Sequence, residues 1–376
     1  MRLRVLLVGA GHAHLYVIRR AQALRDAGLD LCLVSPAAFS YSGLATGALS
    51  GALELRAGEI DVVALAAAHG VRHHPTTVED VDLTQRRARV VGGGAVDFDV
   101  ISFNVGSTVA DPLALKDLPG VWPVKPLAAL LTLRDMVEGV IAAAGRCPVI
   151  VVAGGGQTAF EVAAALCGLC DRHGVRPHIT VVGSRVDAAW APAKAARRLL
   201  ATLRARGVEF RADQVVARTP DSCRLAAGDS LACDALVLAT GLVAADLMRT
   251  LHLPVDDDGR LRVSSRLWAS GNHRVFAVGD CGVIEDDPRP CVGVFGVRAA
   301  PILVRNLVAL ARSRRLATYG PQRHWLSIMD LGDGTGLALR GQIWWQGRAA
   351  LRLKRWLDRG FVRQARRGSA MFKPGV

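Results

Sequence analysis

Two glycine-rich stretches carry the most specific chemistry in this chain of 376 residues. Gly9-Ala10-Gly11-His12-Ala13-His14 follows the apolar run 5–8, and Gly154-Gly155-Gly156-Gln157-Thr158-Ala159 follows the apolar run 149–153. Between a buried strand and a helix, Gly9 permits a tight turn and Gly11 lets the backbone approach a diphosphate. The helix N-terminal amides then supply the positive dipole end that such an anion needs. Gly154, Gly156 and Ala159 repeat the arrangement, with Thr158 in the first helical turn. One loop of this kind is a weak signal, but two at strand-to-helix junctions imply a chain that holds two dinucleotides. Electron transfer between two cofactors is the first expectation.

Hydrophobic spacing supplies the elements that must position these loops. Residues 5–8 predict a strand, 13–27 a helix closed by Gly28, and 29–34 a second strand, an order that requires a parallel sheet. The stretch 98–108 reads as a buried strand ending in a glycine turn, which carries Gly106 and Ser107. The pattern restarts with a strand at 148–153, a helix at 158–170, a strand at 179–182 and a helix at 193–206. It ends in a second buried strand and turn at Gly241. A further apolar strand stops at Gly279-Asp280-Cys281. Ligands of such sheets lie beyond the carboxyl ends of the strands, so Asp280 can reach a cofactor hydroxyl.

A composition of 51% hydrophobic and 21% charged residues is that of a globular chain with real cores. No unbroken run of about 18 apolar residues occurs, so no membrane span is expected. Met1-Arg2-Leu3-Arg4 with 5–8 imitates a signal peptide, but Gly9 and Gly11 cut the apolar stretch short and leave it a strand. Eight scattered cysteines without an export signal read as reduced thiols and point to the cytoplasm. Of the net charge of +14, most sits at the end: within 340–376, ten Lys/Arg stand against one acid, Asp358. His73, His74 and His324 lack ligand spacing, so no metal is assigned. The Asp256-Asp257-Asp258-Gly259 run reads as a hairpin turn rather than a calcium loop.

The order of first fingerprint, closing turn, inserted second fingerprint, Ala239-Thr240-Gly241 turn and Val278-Gly279-Asp280-Cys281 strand end resembles the two-dinucleotide family of pyridine nucleotide oxidoreductases. Within it the chain looks most like type II NADH dehydrogenases and the oxidoreductase module fused to selenide, water dikinase. Gly11-His12-Ala13-His14, Tyr41-Ser42-Gly43, 101–108, Val124-Lys125-Pro126, Gly293-Val294-Phe295 and Trp356-Leu357-Asp358-Arg359 carry the latter likeness. The resemblance implies an α/β fold of two Rossmann-like domains, the second inserted in the first, plus a small C-terminal α+β extension. Its boundaries are expected at 1–112, 113–262, 263–322 and 323–376. It also implies FAD in the first unit, NADH or NADPH in the second, and hydride transfer from nicotinamide to flavin.

Several residues depart from the pattern or admit two readings. His14 takes the third glycine position, either to bond the FAD diphosphate or ribose, or as a structural histidine. Ser35 stands where an acid would bind the adenosine ribose. Arg185 with Ser184 ends the matching second strand, which favours the 2′-phosphate of NADPH, though a solvated arginine would look the same. The resemblance places Glu161 where nicotinamide and flavin meet, and a first-turn glutamate stabilised by the helix dipole is the plainer alternative. It likewise brings Tyr41, Ser42 and Gly43 to the flavin ring and Phe295 to its pyrimidine edge. Lys125 offers a positive charge to flavin or substrate, or is a surface lysine of a connection. Around 294–300 only Arg298 is polar, which leaves the acceptor open between a quinone and another small molecule. Cys167 and Cys170 form a CxxC inside a helical run and read as core packing.

The tail has a helical periodicity of its own. Ala349, Leu353, Trp356, Leu357, Gly360 and Phe361 share one face, and Arg352, Arg355, Arg359, Arg363, Arg366 and Arg367 fill much of the rest. Such a helix suits an anionic lipid surface or docks on the protein with a basic back. No nucleic-acid motif accompanies it. The leading expectation is therefore an FAD-dependent NAD(P)H dehydrogenase serving a quinone or other small acceptor, cytoplasmic or peripheral on a membrane. The alternatives are a flavoenzyme oxidising a reduced sulfur or selenium compound through Cys281, Cys291 or Cys147, and a non-enzymatic FAD-binding redox-responsive protein. The oligomeric state is left open.

Overall fold

The computed structural model describes residues 2–366; Met1 and the tail from 367, with the Arg367 and Lys373 counted above, lie outside them. An eight-stranded sheet runs in the order Gly282–Ile284, Leu261–Val263, Trp268–Ala269, Asn272–Ala277, Val100–Phe103, Leu3–Val8, Leu29–Val34 and Arg72–His74. The last five are parallel. Their inner residues are buried on both faces, which is why they read as continuous apolar runs rather than alternating ones. One face packs Leu7 and Leu33 against Ala13, Val17, Leu303 and Leu307, and the other sets Leu6, Val8 and Phe103 against Val81, Ala88 and Met248.

The helix expected over 13–27 is two helices, His12–Ile18 and Ala21–Asp26, and the break at Arg19-Arg20 turns Ala21 and Leu24 into the core. Helix Gly293–Ala311 is long and apolar enough to cross a membrane by length and composition, with a mean hydropathy of 1.6. Arg298, Pro301 and Arg305 interrupt its apolar run in the sequence. Here its Ala299, Ala300, Leu303 and Leu307 pack in the core beside helix His12–Ile18.

The second unit is a five-stranded parallel sheet ordered Val121–Pro123, Ala235–Leu238, Val149–Ala153, His178–Gly183 and Val208–Ala212, with helices Ala128–Ala144, Gln157–Arg172 and Ala193–Ala205. The chain leaves the first sheet and returns through one antiparallel pair, Ser107–Val109 with Leu242–Ala244. Strand Leu261–Val263 already belongs to the first sheet, so a seam at 262/263 would cut a strand. The Asp256–Gly259 run makes the expected turn, bridged by Val255 and Leu261 and tied by Arg260 to Asp256 at 2.7 Å. The extension is an antiparallel meander, Ser327–Asp330, Gly336–Arg340 and Ile343–Gly347, followed by helix Arg348–Arg366.

Candidate active site

The first glycine loop is held from below by one side chain. Gly9 adopts φ +82°, and a Cβ on Gly9 or Gly11 would lie 2.7 Å from the Asn104 carbonyl oxygen or 2.5 Å from its Oδ1. Asn104 Oδ1 accepts from the amides of Ala13 at 2.9 Å and His14 at 3.2 Å, while its Nδ2 donates to the Val278 carbonyl at 2.7 Å. It thus ties the loop to the strand end that carries Gly279 and Asp280. Asn104 falls within the 101–108 segment that carries the family likeness, and a buried amide at the end of an apolar strand is the signal that marks it.

Two expectations change here. His14 is fully buried, with Nδ1 2.7 Å from the Gly9 carbonyl oxygen and Nε2 2.9 Å from Ser102 Oγ, so both ring nitrogens are spent on the protein. It braces the loop and is the structural histidine of the two readings. Ser35 is 1% exposed; its hydroxyl donates to the Pro36 carbonyl and lies 3.1 Å from His73 Nε2, which uses the group expected to serve a ribose.

Beyond the strand ends lies a charged cluster. Lys125 Nζ donates to Ser107 Oγ at 2.7 Å and to Asp280 Oδ2 at 2.9 Å, and Ser107 Oγ donates to the same oxygen at 2.7 Å. Lys125 is thereby tied into this cluster rather than solvated in a connection. Burial works against the Asp280 charge, yet Lys125 and Ser107 hold its carboxyl below the usual range. His12, beside them, is pushed down to about 4 by burial despite the Asp280 charge, so its ring is neutral at pH 7. That ring packs against Phe39, Tyr41 and Phe361 at 5.2, 5.5 and 5.1 Å between centroids. Gly106 (φ +78°) presents its Cα to open space.

The second glycine loop is built differently. A Cβ on Gly154 would meet the Ala239 carbonyl oxygen, and one on Gly155 the Arg185 carbonyl oxygen, each far inside contact distance. Gly156 has nothing within 4 Å of that position, and no side chain caps helix Gln157–Arg172 there. Room for an anion thus lies at a helix N-terminus with unpaired amide capacity. Thr158 is exposed beside it, Ala159 is fully buried, and Gly241 (φ +114°) is open. Arg185 is largely solvent-exposed and pairs with Asp187 at 3.0 Å.

Glu161 is where three units meet. Its Oε1 accepts from Thr46 Oγ1 at 3.0 Å and from the Asp330 amide at 3.1 Å. Burial holds its carboxyl above the ordinary range, against the pull of the Lys354 charge and of those two donors. Lys354 donates to the Gly43 carbonyl and to Asp358 Oδ2 at 3.0 Å, and Tyr41 donates its hydroxyl to Asp358 Oδ1 at 2.9 Å. Burial would lower Lys354, but the charges of Glu161 and Asp358 raise it. Ser42 is exposed, whereas a Cβ on Gly43 would strike the Tyr41 ring and Asp358. Phe295 is 8% exposed, edge-on to Trp325 at 5.3 Å.

The terminal helix corrects the periodicity reading. Its docked side carries Ala350, Leu351, Lys354, Asp358, Val362 and Ala365 with Phe361 partly packed, while Trp356 is 70% and Leu357 44% exposed. The face was misassigned because the docked side holds an ion pair, which hydrophobic spacing counts as solvent-facing. Asp358 entered only through the 356–359 likeness and Thr46 only within the segment 41–47, and Asp330 and Lys354 had no assigned role.

The description of pyridine nucleotide-disulphide oxidoreductases matches residues 3–298. The chain belongs to that family. It is therefore an oxidoreductase, and the family brings FAD and a pyridine nucleotide as cofactors. A NADH dehydrogenase-like protein of Mycobacterium tuberculosis is 26% identical over 303 residues, covering 76% of this chain and 74% of its own. The demethylphylloquinone reductase of Synechocystis is 30% identical over 136 residues, 35% of this chain and 33% of its own. Among solved structures, the sulfide:quinone oxidoreductase of Aquifex aeolicus shares the fold, with a TM-score of 0.80 at 16% identity over 98% of this chain and 92% of its own. The cradles suit the family's cofactors: one glycine loop adjoins a Lys–Ser–Asp cluster able to hold a polyol and a diphosphate, and the other leaves an open helix N-terminus.

Proposed function

We propose that the protein is a flavin-dependent NAD(P)H dehydrogenase that delivers electrons to a quinone-type acceptor. The observation that carries this reading is the convergence at Glu161 of the second fingerprint helix, the Tyr41–Gly47 segment of the first unit and the terminal extension. Gly9, Gly11, His12, Gly106, Ser107, Lys125, Gly279 and Asp280 would hold FAD, with Tyr41, Ser42, Gly43 and Phe295 around its ring. Gly154, Gly156, Thr158, Ala159 and Gly241 would hold the nicotinamide dinucleotide, with Arg185 at its adenosine end. FAD bound there would supply the two-electron redox chemistry linking a nicotinamide donor to the acceptor.

The chain's own residues supply positioning and protons. Lys125 neutralises Asp280 and fixes its carboxylate against Ser107, so that the acid can accept hydrogen bonds from the hydroxyls of a polyol. Glu161, whose carboxyl is raised by burial against the pull of the Lys354 charge, is placed to serve as an acid–base group for the acceptor. A shallow crevice lined by Tyr41, Leu44, Ala45, Ala48, Leu55, Leu127 and Leu131, together with Ser40, Gly58 and Glu59, adjoins this cluster. Its apolar walls suit a hydrophobic acceptor.

The relatives named for quinones support the same acceptor class. A sulfur- or selenium-oxidising flavoenzyme draws no support from the thiols. Burial pushes Cys281 and Cys291 up to about 11, and Cys147 sits at the far end of the second sheet. The exposed Trp356 and Leu357 share the helix surface with Arg352, Arg359 and Arg363, and the strand before the helix exposes Ile343 at 67% and Trp345 at 37%. That combination of apolar and basic groups suits an anionic lipid surface, from which such an acceptor would come.

Anaerobic mixing of the flavin-loaded protein with NADH and with NADPH tests the reading. Rapid loss of the flavin's visible absorbance, restored by a quinone analogue, is expected. A protein that takes up no flavin, or a bound flavin that neither nucleotide bleaches, would overturn it. Co-sedimentation with anionic vesicles but not with zwitterionic ones tests the lipid surface.

A further inference from the structure

Cys147 and Cys170 are both fully buried, and the Cys170 thiol lies 3.0 Å from the Cys147 sulfur. The CxxC spacing pairs Cys170 with Cys167, but the fold turns it instead onto Cys147, 23 residues back. A bonded S–S distance is about 2.05 Å, so closing the gap asks for roughly 1 Å of side-chain movement. Between the two cysteines run the strand Val149–Ala153, the glycine loop and most of helix Gln157–Arg172. A bond there would ring the whole element that carries the second fingerprint and Glu161. It would do so from the end of the sheet opposite the loop.

We propose that Cys147 and Cys170 form a reversible dithiol–disulfide pair, oxidised by hydrogen peroxide, whose disulfide staples the strand–loop–helix element of the second dinucleotide site. The name of that site rests on the function proposed above; the cross-link itself does not. The Cys147 sulfur attacks the peroxide O–O bond, forming an S–O bond and releasing one water. The Cys170 sulfur then displaces that oxygen as a second water, and the S–S bond forms. Two thiols lose two electrons and two protons, and the peroxide is reduced to two waters. Cys147 is the attacking end: the hydrogen bond from Cys170 and one from the His178 amide lower its thiol, outweighing burial.

Access comes through the ends of the element. Cys170 lies two residues from the end of its helix at Arg172, and Arg146 and residues 171–174 are exposed. Such a terminal turn opens at low cost while the sheet stays folded. Cys223 and Cys233 also share a hydrogen bond, but a bond between them would close only the span 223–233 in and beside the Val215–Ala232 meander.

The test uses the flavin-loaded full chain, treated with hydrogen peroxide, alkylated in denaturant and mapped by mass. Two of the eight cysteines become refractory to alkylation in one cross-linked peptide pair joining Cys147 to Cys170, and dithiothreitol restores both. The unfolding midpoint rises by about 5 °C on oxidation of the wild type, and not in Cys170→Ser or Cys147→Ala. Alkylation of all eight, a cross-link confined to Cys223 and Cys233, sulfinic acid at either residue, or an unchanged midpoint would overturn the proposal. The wild-type map needs neither variant to fold. Because the readouts are a mass and a melting shift, failure here is distinguishable from failure of nicotinamide turnover.

Discussion

Asp358→Asn isolates the contribution of the terminal helix. In the wild type, one carboxylate receives two donors, Lys354 Nζ at 3.0 Å and the Tyr41 hydroxyl at 2.9 Å, with the side chains of Lys354 and Asp358 12% and 9% exposed. Asparagine keeps the shape but offers one acceptor oxygen and adds a donor, so one of the two donors loses its partner. Leaving a buried donor unsatisfied costs about 1–3 kcal/mol, and removing one charge of a buried pair costs about 3–5 kcal/mol. Glu161 remains as a counter-charge for Lys354, which places the total near the lower bound, about 3 kcal/mol. Lys354 is raised in the folded protein, so its stabilisation is complete below the ordinary lysine value of about 10.4 and is lost only as pH rises through the folded value. The deficit of the variant should therefore be constant across neutral pH and close only in strong alkali. Denaturant melts from pH 6 upward measure it, and turnover against pH should show the alkaline limb moved to lower pH. Equal midpoints and superimposable pH profiles would refute the assignment of Asp358 as the residue that positions Lys354.

Other substitutions test the two cradles and the junction. Gly156→Ala should fold as the wild type does, because a Cβ there meets nothing within 4 Å, yet raise KM for NAD(P)H at least tenfold; Gly155→Ala should destabilise by several kcal/mol, about 3 or more, because its Cβ falls on the Arg185 backbone. Calorimetry with nucleotide titration separates the two. Lys125→Met should release Asp280 towards the usual carboxyl range and lower flavin content after dialysis, read as bound absorbance per protein. Asp280 is depressed in the fold, so its stabilising share is present above about pH 4 and disappears as pH falls through its folded value. Glu161→Gln should cut acceptor turnover while leaving stability equal or higher near pH 8. A carboxyl raised by burial costs stability above its folded pKa and is relieved below about 4.3.

How far the sequence spoke depends on what each residue is doing. The two fingerprints, the closing turns and Asp280 were legible because they combine backbone demands with apolar strands, and both are local. Gly9, Gly11 and Gly154 stand where any Cβ would strike a neighbouring strand or its side chain, a constraint that sequence spacing alone conveys. His14 was half legible: a histidine in a glycine position is conspicuous, but only the fold shows Ser102 and the Gly9 carbonyl taking its two nitrogens. The roles of Thr46, Asp330, Lys354 and Asp358 were not legible because, the local Lys354–Asp358 pair apart, their partners lie up to some 300 residues away. Their pairing makes polar residues buried ones, which inverts the rule that placed the helix. That inversion bears on function. A terminal helix docked through Leu351, Lys354, Asp358 and Val362 has its charged pair committed inward, so Trp356 and Leu357 are free to face outward among arginines. On the function proposed above, the two readings of the tail are not rivals: one face packs around Glu161, and the other would be left to meet a lipid surface.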